Sequence, residues 1–159
     1  MELLEKIISG GQTGADRAAL DGAIFCGLAY GGAIPAGRKT EAGPLPDDYL
    51  MDELASTHYP DRTEKNVKDA DATLVLSHGK LSGGSALTKR IAENNFKPCL
   101  HIDFNQTTMI QAGKRTLKWL RKHQIHVLNV AGPRGSTDPK IYNHTFQLIV
   151  SLLNETHGE

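Results

Sequence analysis

The sequence is poor in the features that mark nucleic-acid-binding and membrane proteins. Aromatic residues make up 6% of its 159 positions, and 18 lysines and arginines are balanced by 18 aspartates and glutamates. Proteins that bind single-stranded nucleic acid use basic grooves with stacking rings. The sequence also lacks apolar runs long enough to cross a bilayer. We therefore expect neither a nucleic acid nor a membrane as the partner of this chain.

Cysteine is scarce as well. Cys26 and Cys99 do not form a CxxC pair, and no secretory signal precedes them. Isolated cysteines with apolar neighbours are usually core residues of reduced proteins. The seven histidines show no metal-ligand spacing, since His123 and His126 straddle the end of a predicted helix and the start of a predicted strand. The sequence thus predicts a cytoplasmic protein with two buried thiols and no metal site.

What the sequence does contain is an alternation of strand-like and helix-like segments. Short, nearly continuous apolar runs, typical of strands covered on both faces, begin at Lys6, Leu28, Ala72, Pro98 and His126. Alternation of this kind is typical of a parallel sheet with right-handed crossovers. We therefore predict one α/β doubly wound domain over residues 1–159, with about five strands and helices on both faces. The predicted helices span residues 15–26, 63–70, 85–95, 107–122 and 139–154.

The fifth predicted helix has the clearest period. Asp138 would be its cap and Pro139 its first residue, a common arrangement at helix starts. Its buried face would carry Ile141, Thr145, Leu148, Ile149 and Leu152.

The order of the strands decides where a ligand would bind. If the long connection between residues 35 and 71 carries the chain back across the first strand, the order is second, first, third, fourth, fifth. Ligands of open α/β sheets bind where the order reverses, here between the first and third strands. The loops "SGGQTGAD" from Ser9 and "SHGKLSGGSALT" from Ser77 follow these two strands. We expect both loops to border one binding site.

The first of these loops has three glycines among five residues, Gly10, Gly11 and Gly14. Where a glycine-rich turn enters a helix, free backbone N–H groups favour an anion. Gly10 and Gly11 would let the chain turn and the ligand approach, and Gly14 would let the helix pack closely on the sheet. Neither loop has the Gly-Lys-Ser/Thr of a P-loop or the spacing of GxGxxG, which disfavours an ordinary NTPase or NAD enzyme.

Asp16 lies at the end of the same loop and has two interpretations. Thr13 and Asp16 fit a capping box, in which Thr13 caps the helix and the Asp16 carboxylate accepts a hydrogen bond from the Thr13 backbone N–H. Alternatively, Asp16 binds a hydroxyl or an amine of the ligand, as acidic residues do near nucleotide sugars. The sequence leaves both interpretations open.

Two arginines are candidate partners for the anion. Arg38 follows the second predicted strand and Arg62 precedes the second predicted helix, so both could extend over the same sheet edge. A guanidinium forms charge-assisted, often bidentate hydrogen bonds with oxyanions. Ser77 and His78 end the third predicted strand, where polar side chains could also contact the ligand.

Three stretches of the sequence resemble a known family. The runs "SGGQTGADRAALD", "GGAIPAGRKTEAGPLP" and "YPDRTEKNVKDADATLVLSHGKLSGGSALT" are similar to the molybdenum-cofactor carrier branch of the SLOG superfamily, which includes the LOG, or lysine decarboxylase-like, proteins. The resemblance implies a Rossmann-like domain that binds a nucleotide-like or phosphorylated pterin ligand, such as the molybdenum cofactor (molybdopterin). It also implies a homo-oligomer.

LOG enzymes release the base from cytokinin or nucleoside 5′-monophosphates and carry a PGGxGTxxE motif. Gly83 and Gly84 match its glycine pair, but Ser82 replaces its proline and Arg90 stands where its glutamate belongs. Cleavage of a glycosidic bond needs a carboxylate, which a cation cannot replace. The resemblance therefore favours a binding protein, and we predict no catalytic residue.

The predicted function is thus the binding of an anionic, phosphate-bearing ligand, the molybdenum cofactor or a nucleotide, at two glycine-rich loops. One alternative is a LOG-like nucleoside 5′-monophosphate phosphoribohydrolase, whose carboxylate would be Asp16, Glu41 or Glu64. A less favoured alternative is a nucleic-acid-binding or signalling module. The predicted ligand-binding residues are Gly10, Gly11, Gln12, Thr13, Gly14, Asp16, Arg38, Arg62, Thr63, Asn66, Ser77, Ser82, Gly83, Gly84, Ser85 and Thr88.

Overall fold

The computed structural model describes residues 4–157 and confirms the predicted α/β class. The strands are β1 (Lys6–Ile8), β2 (Ala29–Gly31), β3 (Ala33–Ile34), β4 (Asp52–Glu53), β5 (Ala72–Ser77), β6 (Cys99–Asp103) and β7 (Val127–Ala131). The helices are α1 (Ala15–Phe25), α2 (Tyr59–Asp69), α3 (Gly83–Asn94), α4 (Met109–Lys122) and α5 (Ile141–His157). Across residues 4–157, no helix combines the length and the apolar character needed to cross a membrane.

The larger sheet is parallel throughout and has the strand order β2-β1-β7-β5-β6. The predicted order is wrong, because the last strand, β7, lies between β1 and β5. Ile7 pairs with Leu128, and Leu74 pairs with Val130. Leu128 is fully buried, as a central strand requires. The prediction placed the third predicted strand directly beside the first, and the strands of a buried parallel sheet are too alike in composition to reveal that another strand lies between them.

The strand order matches the Rossmann order when the strands are counted cyclically from β7. Counted from that strand, the larger sheet runs third, second, first, fourth, fifth, which is the beginning of the Rossmann order. The reversal point therefore lies between β7 and β5, one strand away from the predicted position. The short strands β3 and β4 form a separate parallel pair.

The helices cover the sheet in two layers. Helices α1 and α4 pack against α5, whereas α2 packs against α3. The predicted buried face of α5 is confirmed, since Ile141, Thr145, Leu148, Ile149 and Leu152 are all buried. This face packs into the hydrophobic core, to which the sheet contributes Ile7, Leu74 and Leu128.

Two helix starts differ from their predicted positions, whereas α1, α3 and α4 lie close to their predicted bounds. Helix α2 begins at Tyr59, so Arg62 lies inside the helix and not before it. Helix α5 begins at Ile141, and Pro139 lies in the preceding turn. The Asp138 carboxylate accepts a hydrogen bond from the backbone N–H two residues further on (3.1 Å), which stabilises that turn.

Both cysteines are free thiols, as predicted, but the prediction that they are buried is wrong. Cys26 follows the last turn of α1, and Cys99 begins β6, which is an edge strand of the sheet. These positions leave both side chains half-buried. Desolvation still raises the pKa of both thiols, that of Cys99 to about 11. A thiol with a raised pKa is a poor nucleophile at neutral pH.

Candidate functional site

A cavity of about 620 Å³ lies beyond the carboxyl ends of β1, β7 and β5. Its wall comprises Gly10 and Gln12 after β1, residues 129–134 at the end of β7, residues 80–85 at the start of α3, and the first turn of α2. Because β7 separates β1 from β5, the two glycine loops follow strands that are about 10 Å apart. The cavity is wide enough to include both loops.

Most of the predicted ligand-binding residues line this cavity, and four do not. Gly11, Thr13, Gly14 and Arg38 are absent from its wall. The residues that line it are Gly10, Gln12, Asp16, Arg62, Thr63, Asn66, Ser77, Ser82, Gly83, Gly84, Ser85 and Thr88.

Two of the loop glycines serve contacts within the protein. Gly11 has a φ of 72°, and a Cβ there would lie 3.1 Å from a methyl carbon of Ile34. Gly14 has a φ of 80°, and its Cβ would overlap the carbonyl oxygen of Pro133. Gly14 therefore allows close packing against the loop after β7, not against the sheet as predicted.

The predicted capping box at the start of α1 is wrong. The N-cap residue is Gly14, which has no side chain to cap the helix. The Thr13 N–H donates to Gln12 Oε1 (3.0 Å), and the Asp16 carboxylate accepts from the Gln12 N–H (3.4 Å). Thr13 Oγ1 instead bonds to Glu41 and accepts from the backbone N–H of Gly135 (3.0 Å). The Thr13 hydroxyl, which was predicted to cap the helix, therefore forms hydrogen bonds with distant residues instead.

Arg38 does not extend over the sheet edge as predicted. Its Nε donates to the carbonyl of Leu45 (2.9 Å), and its Nη2 donates to the carbonyls of Pro46 and Tyr49 (2.7 Å each). The guanidinium therefore holds together the segment between β3 and β4. Arg38 also has a φ of 55°, in the left-handed region.

Arg62, by contrast, lies in the wall of the cavity. It is 8% exposed, and its Nη1 donates to the carbonyl of Gly10 (2.5 Å) and lies 3.7 Å from the Asp16 carboxylate. A Cβ on Gly10 would overlap that nitrogen. Glycine at position 10 therefore makes room for a guanidinium that comes from α2, 52 residues further along the chain.

Asp16 is a buried carboxyl group in the same wall, 7% exposed. Desolvation raises its pKa to about 6, although Arg62 opposes this shift. A buried group of this kind beside a cavity often marks a functional site. When ionised, the Asp16 carboxylate would repel an anion bound in the cavity.

We expect Asp16→Asn to stabilise the protein at pH 8 by about 3 kcal/mol and to leave its stability near pH 3 unchanged. The folded pKa of Asp16, about 6, lies above the ordinary aspartate value of 3.8, so ionisation destabilises the fold as the pH rises through this window. Urea unfolding at both pH values measures the effect. Asp48→Asn removes an exposed carboxylate and is the control, with a change below about 0.5 kcal/mol. An equal gain at both pH values would contradict the assignment.

The start of α3 presents backbone donors to the cavity. Its N-cap residue, Ser82, makes no side-chain cap, and the first turn contains no acidic residue. Gly83 has a φ of 51°, and a Cβ on Gly84 would meet no heavy atom within 4 Å. The first amides of a helix have no partner within the helix. Residues 82–85 therefore combine open space with backbone N–H donors.

Several polar side chains of the wall already have partners within the protein. The Asn66 amide donates to the Ala33 carbonyl (3.1 Å) and accepts from the Ala33 N–H (2.7 Å), which attaches β3 to α2. Ser77 Oγ lies 2.7 Å from His101 Nε2, and Thr88 Oγ1 donates to the Gly84 carbonyl (2.9 Å). These contacts shape the wall and limit what the three side chains can offer a ligand.

The wall residues that sequence reasoning missed include Tyr59 and, in the loop after β7, Arg134. Sequence reasoning also missed the pairing of His78 with Asp138, whose Nδ1 and Oδ2 atoms are 2.6 Å apart, because the two residues belong to separate local patterns. His144 Nδ1 lies 2.5 Å from His78 Nε2, and burial together with His78 lowers the pKa of His144. Only the fold brings these residues together.

Of the three candidate carboxylates for hydrolysis, Asp16 alone is part of the described cavity wall. Glu41 bonds to Thr13 and Ser136, and these hydrogen bonds lower its pKa. Glu64 forms an ion pair with Lys68 on the surface of α2 (3.3 Å). Among the side chains that the structure describes, those of residues 4–155, no group of three or more His, Cys, Asp or Glu could hold a metal ion.

A five-stranded parallel sheet between two helix layers, with a cavity beyond its carboxyl edge, defines a Rossmann-like α/β domain. The sequence model of the circularly permutated YpsA SLOG family matches residues 7–153. The chain belongs to this family. A circular permutation changes which strand comes first in the chain but not the order in the sheet, which explains why the expected Rossmann order appears only when counting starts at β7.

A solved structure is similar over nearly the whole chain. It is the crystal structure of a "putative molybdenum carrier protein" from Syntrophus aciditrophicus SB. The two share 51% sequence identity with a TM-score of 0.94, and the similarity covers 96% of each chain. Among curated proteins, no sequence matches this chain.

Proposed function

We propose that the protein binds a small phosphate-bearing ligand in the cavity, and that this ligand is the molybdenum cofactor or a nucleotide. The observation that carries the proposal is the start of α3, which has no side-chain cap and opens into the cavity. Free N–H groups and the positive end of the helix dipole attract an oxyanion at such a position. Gly83 and Gly84 leave room for the anion to approach the backbone.

The dimensions and the polarity of the cavity support a small ligand. Its volume of about 620 Å³ is within the range of small-molecule sites. Arg62 contributes a buried guanidinium, which forms charge-assisted hydrogen bonds with oxyanions. Ser82, Ser85 and Thr63 add hydroxyl groups to the wall.

The name of the similar structure supports the choice of ligand. That protein is called a "putative molybdenum carrier protein". The molybdenum cofactor is a phosphorylated pterin, so its phosphate would bind the amides of residues 83–85 and its ring system would occupy the rest of the cavity. In this proposal the metal arrives with the ligand, as cargo.

Native mass spectrometry of freshly purified protein tests the proposal. We expect the mass of each chain to be increased by one phosphate-bearing small molecule, which is released and identified after denaturation. Elemental analysis for molybdenum then separates the cofactor from a nucleotide. Protein that is purified without a ligand, and that binds neither nucleoside monophosphates nor phosphorylated pterins in calorimetric titrations, would refute the proposal.

A second candidate function is hydrolysis of a nucleoside 5′-monophosphate, and one observation favours it. Asp16 lies in the cavity wall with its pKa raised to about 6, a value suited to general acid–base catalysis. Arg90, which replaces the glutamate of the LOG motif, is exposed and absent from the described wall. Incubation with a panel of nucleoside monophosphates and detection of free base would establish this activity, and its absence with every member would leave binding alone.

We also propose a cytoplasmic location and a homo-oligomeric state, which the resemblance to SLOG carriers supports. Light scattering after size exclusion measures the oligomeric state. A monomer at the concentration found in cells would contradict this part of the proposal.

A further inference from the structure

Three cationic side chains converge on one aromatic ring of the cavity wall. The ring centroid of Tyr59 lies 4.7 Å from Lys39 Nζ, 5.2 Å from Arg62 Cζ and 5.7 Å from Arg134 Cζ. Tyr59, Arg62 and Arg134 all line the cavity, and they come from α2 and from the loop after β7. We call Tyr59 and its three cations the Tyr59 cluster.

The carboxylates near the Tyr59 cluster do not neutralise it. Asp16 lies 3.7 Å from Arg62, and Glu41 lies 3.9 Å from Arg134. Among the described residues, no carboxylate lies within 4.0 Å of Lys39 Nζ. Glu41 is also held by hydrogen bonds from Thr13 and Ser136. The Tyr59 cluster therefore gives this end of the cavity an excess of positive charge.

Packing within the protein does not explain why the three cations lie around one ring. Lys39 is exposed and the Arg134 side chain is 43% exposed, so both could extend into water, away from Arg62. The attraction of each exposed cation to the ring is small, and the three like charges repel one another. An anion placed between the cations would turn this repulsion into attraction.

We propose that the Tyr59 cluster is a second anion-binding subsite, so that the ligand carries two anionic groups. One group would bind the amides at the start of α3, which rests on the proposed function, and the other would bind Lys39, Arg62 and Arg134. The chemical class is a nucleotide-like or pterin-like compound with a phosphate and a second oxyanion, which is a phosphate or an acidic group of similar charge. A cavity of about 620 Å³ has room for such a ligand.

Nuclear magnetic resonance of ¹⁵N-labelled protein, titrated with inorganic phosphate, tests the two subsites separately. The backbone amides of Gly84 and Ser85 report on α3, and the side-chain Nε–H groups of Arg62 and Arg134 report on the Tyr59 cluster. We expect saturable shifts in both sets. The double variant Lys39→Gln, Arg134→Gln should weaken the response of Arg62 at least about tenfold and leave that of Gly84 unchanged, because charge-assisted hydrogen bonds contribute on this scale.

Arg121→Gln is the matched control, since it removes an exposed positive charge from the last turn of α4, outside the described cavity wall. It should leave both responses unchanged, and an equal loss in this variant would overturn the inference as an effect of net charge. Shifts of the α3 amides alone would overturn the second subsite and leave the proposed function standing. Shifts of the Tyr59 cluster alone would support the subsite and refute the anchoring role of α3. The absence of both would refute both.

Discussion

Gly84→Val is expected to abolish binding of a phosphate-bearing ligand while the protein stays folded. Gly84 lies in the first turn of α3, and a Cβ there would meet no heavy atom within 4 Å, so the added side chain begins in open space. The valine would occupy the space through which an anion reaches the helix amides. Loss of two charge-assisted hydrogen bonds, each contributing about 1.5–3 kcal/mol, weakens affinity at least about 100-fold.

Titration calorimetry with a nucleoside 5′-monophosphate, or with the ligand identified by mass spectrometry, measures this loss. Gly113→Val is the control, because Gly113 lies on α4, where a Cβ would meet only Ser151 Oγ at 4.0 Å. That variant should bind as the wild type does. Unchanged affinity in Gly84→Val, with an intact circular dichroism spectrum, would show that α3 does not hold the anion.

Gly14→Ala is expected to destabilise the protein by about 4 kcal/mol, a large fraction of the total stability of a natural domain. Two effects combine at this position. A φ of 80° with a ψ of −128° lies outside the left-handed region and is nearly restricted to glycine, so it costs another residue about 1–3 kcal/mol. The added Cβ would also overlap the carbonyl oxygen of Pro133, so the loop after β7 would have to move. That loop forms part of the cavity wall, so the folded fraction of the variant should also bind ligand poorly.

Gly37→Ala measures the cost of a positive φ without any contact. Gly37 has a φ of 78° and a ψ of 9°, in the left-handed region, and a Cβ there would meet nothing within 4 Å. We expect a loss of only about 1–2 kcal/mol, from backbone strain alone. Urea unfolding of both variants gives the comparison. A loss in Gly14→Ala no larger than that in Gly37→Ala would contradict the predicted overlap with Pro133, because the backbone of Gly14 is also the less accessible of the two to alanine.

The elements of this fold were largely readable from the chain, because they depend on local patterns. Alternating apolar runs and helical periods predicted the α/β class, and the period of α5 identified Ile141, Leu148 and Leu152 as buried. The glycine loops lie at the edge of the sheet where the cavity is found, and most of the predicted site residues line that cavity. Three stretches of the sequence also indicated the SLOG family, to which the chain belongs.

The tertiary structure decided which of several equivalent local candidates reach the cavity. Arg38 and Arg62 are equally plausible in sequence, yet Arg38 is held by the carbonyls of its own segment and Arg62 by the carbonyl of Gly10. The place of β7 between β1 and β5 was equally hidden, because the apolar strands of a parallel sheet can exchange places without any change in local pattern. Contacts between distant residues, such as His78 with Asp138, depend on that placement. Local sequence therefore determined the elements and the edge of the sheet at which the cavity lies, whereas long-range packing determined which side chains line it.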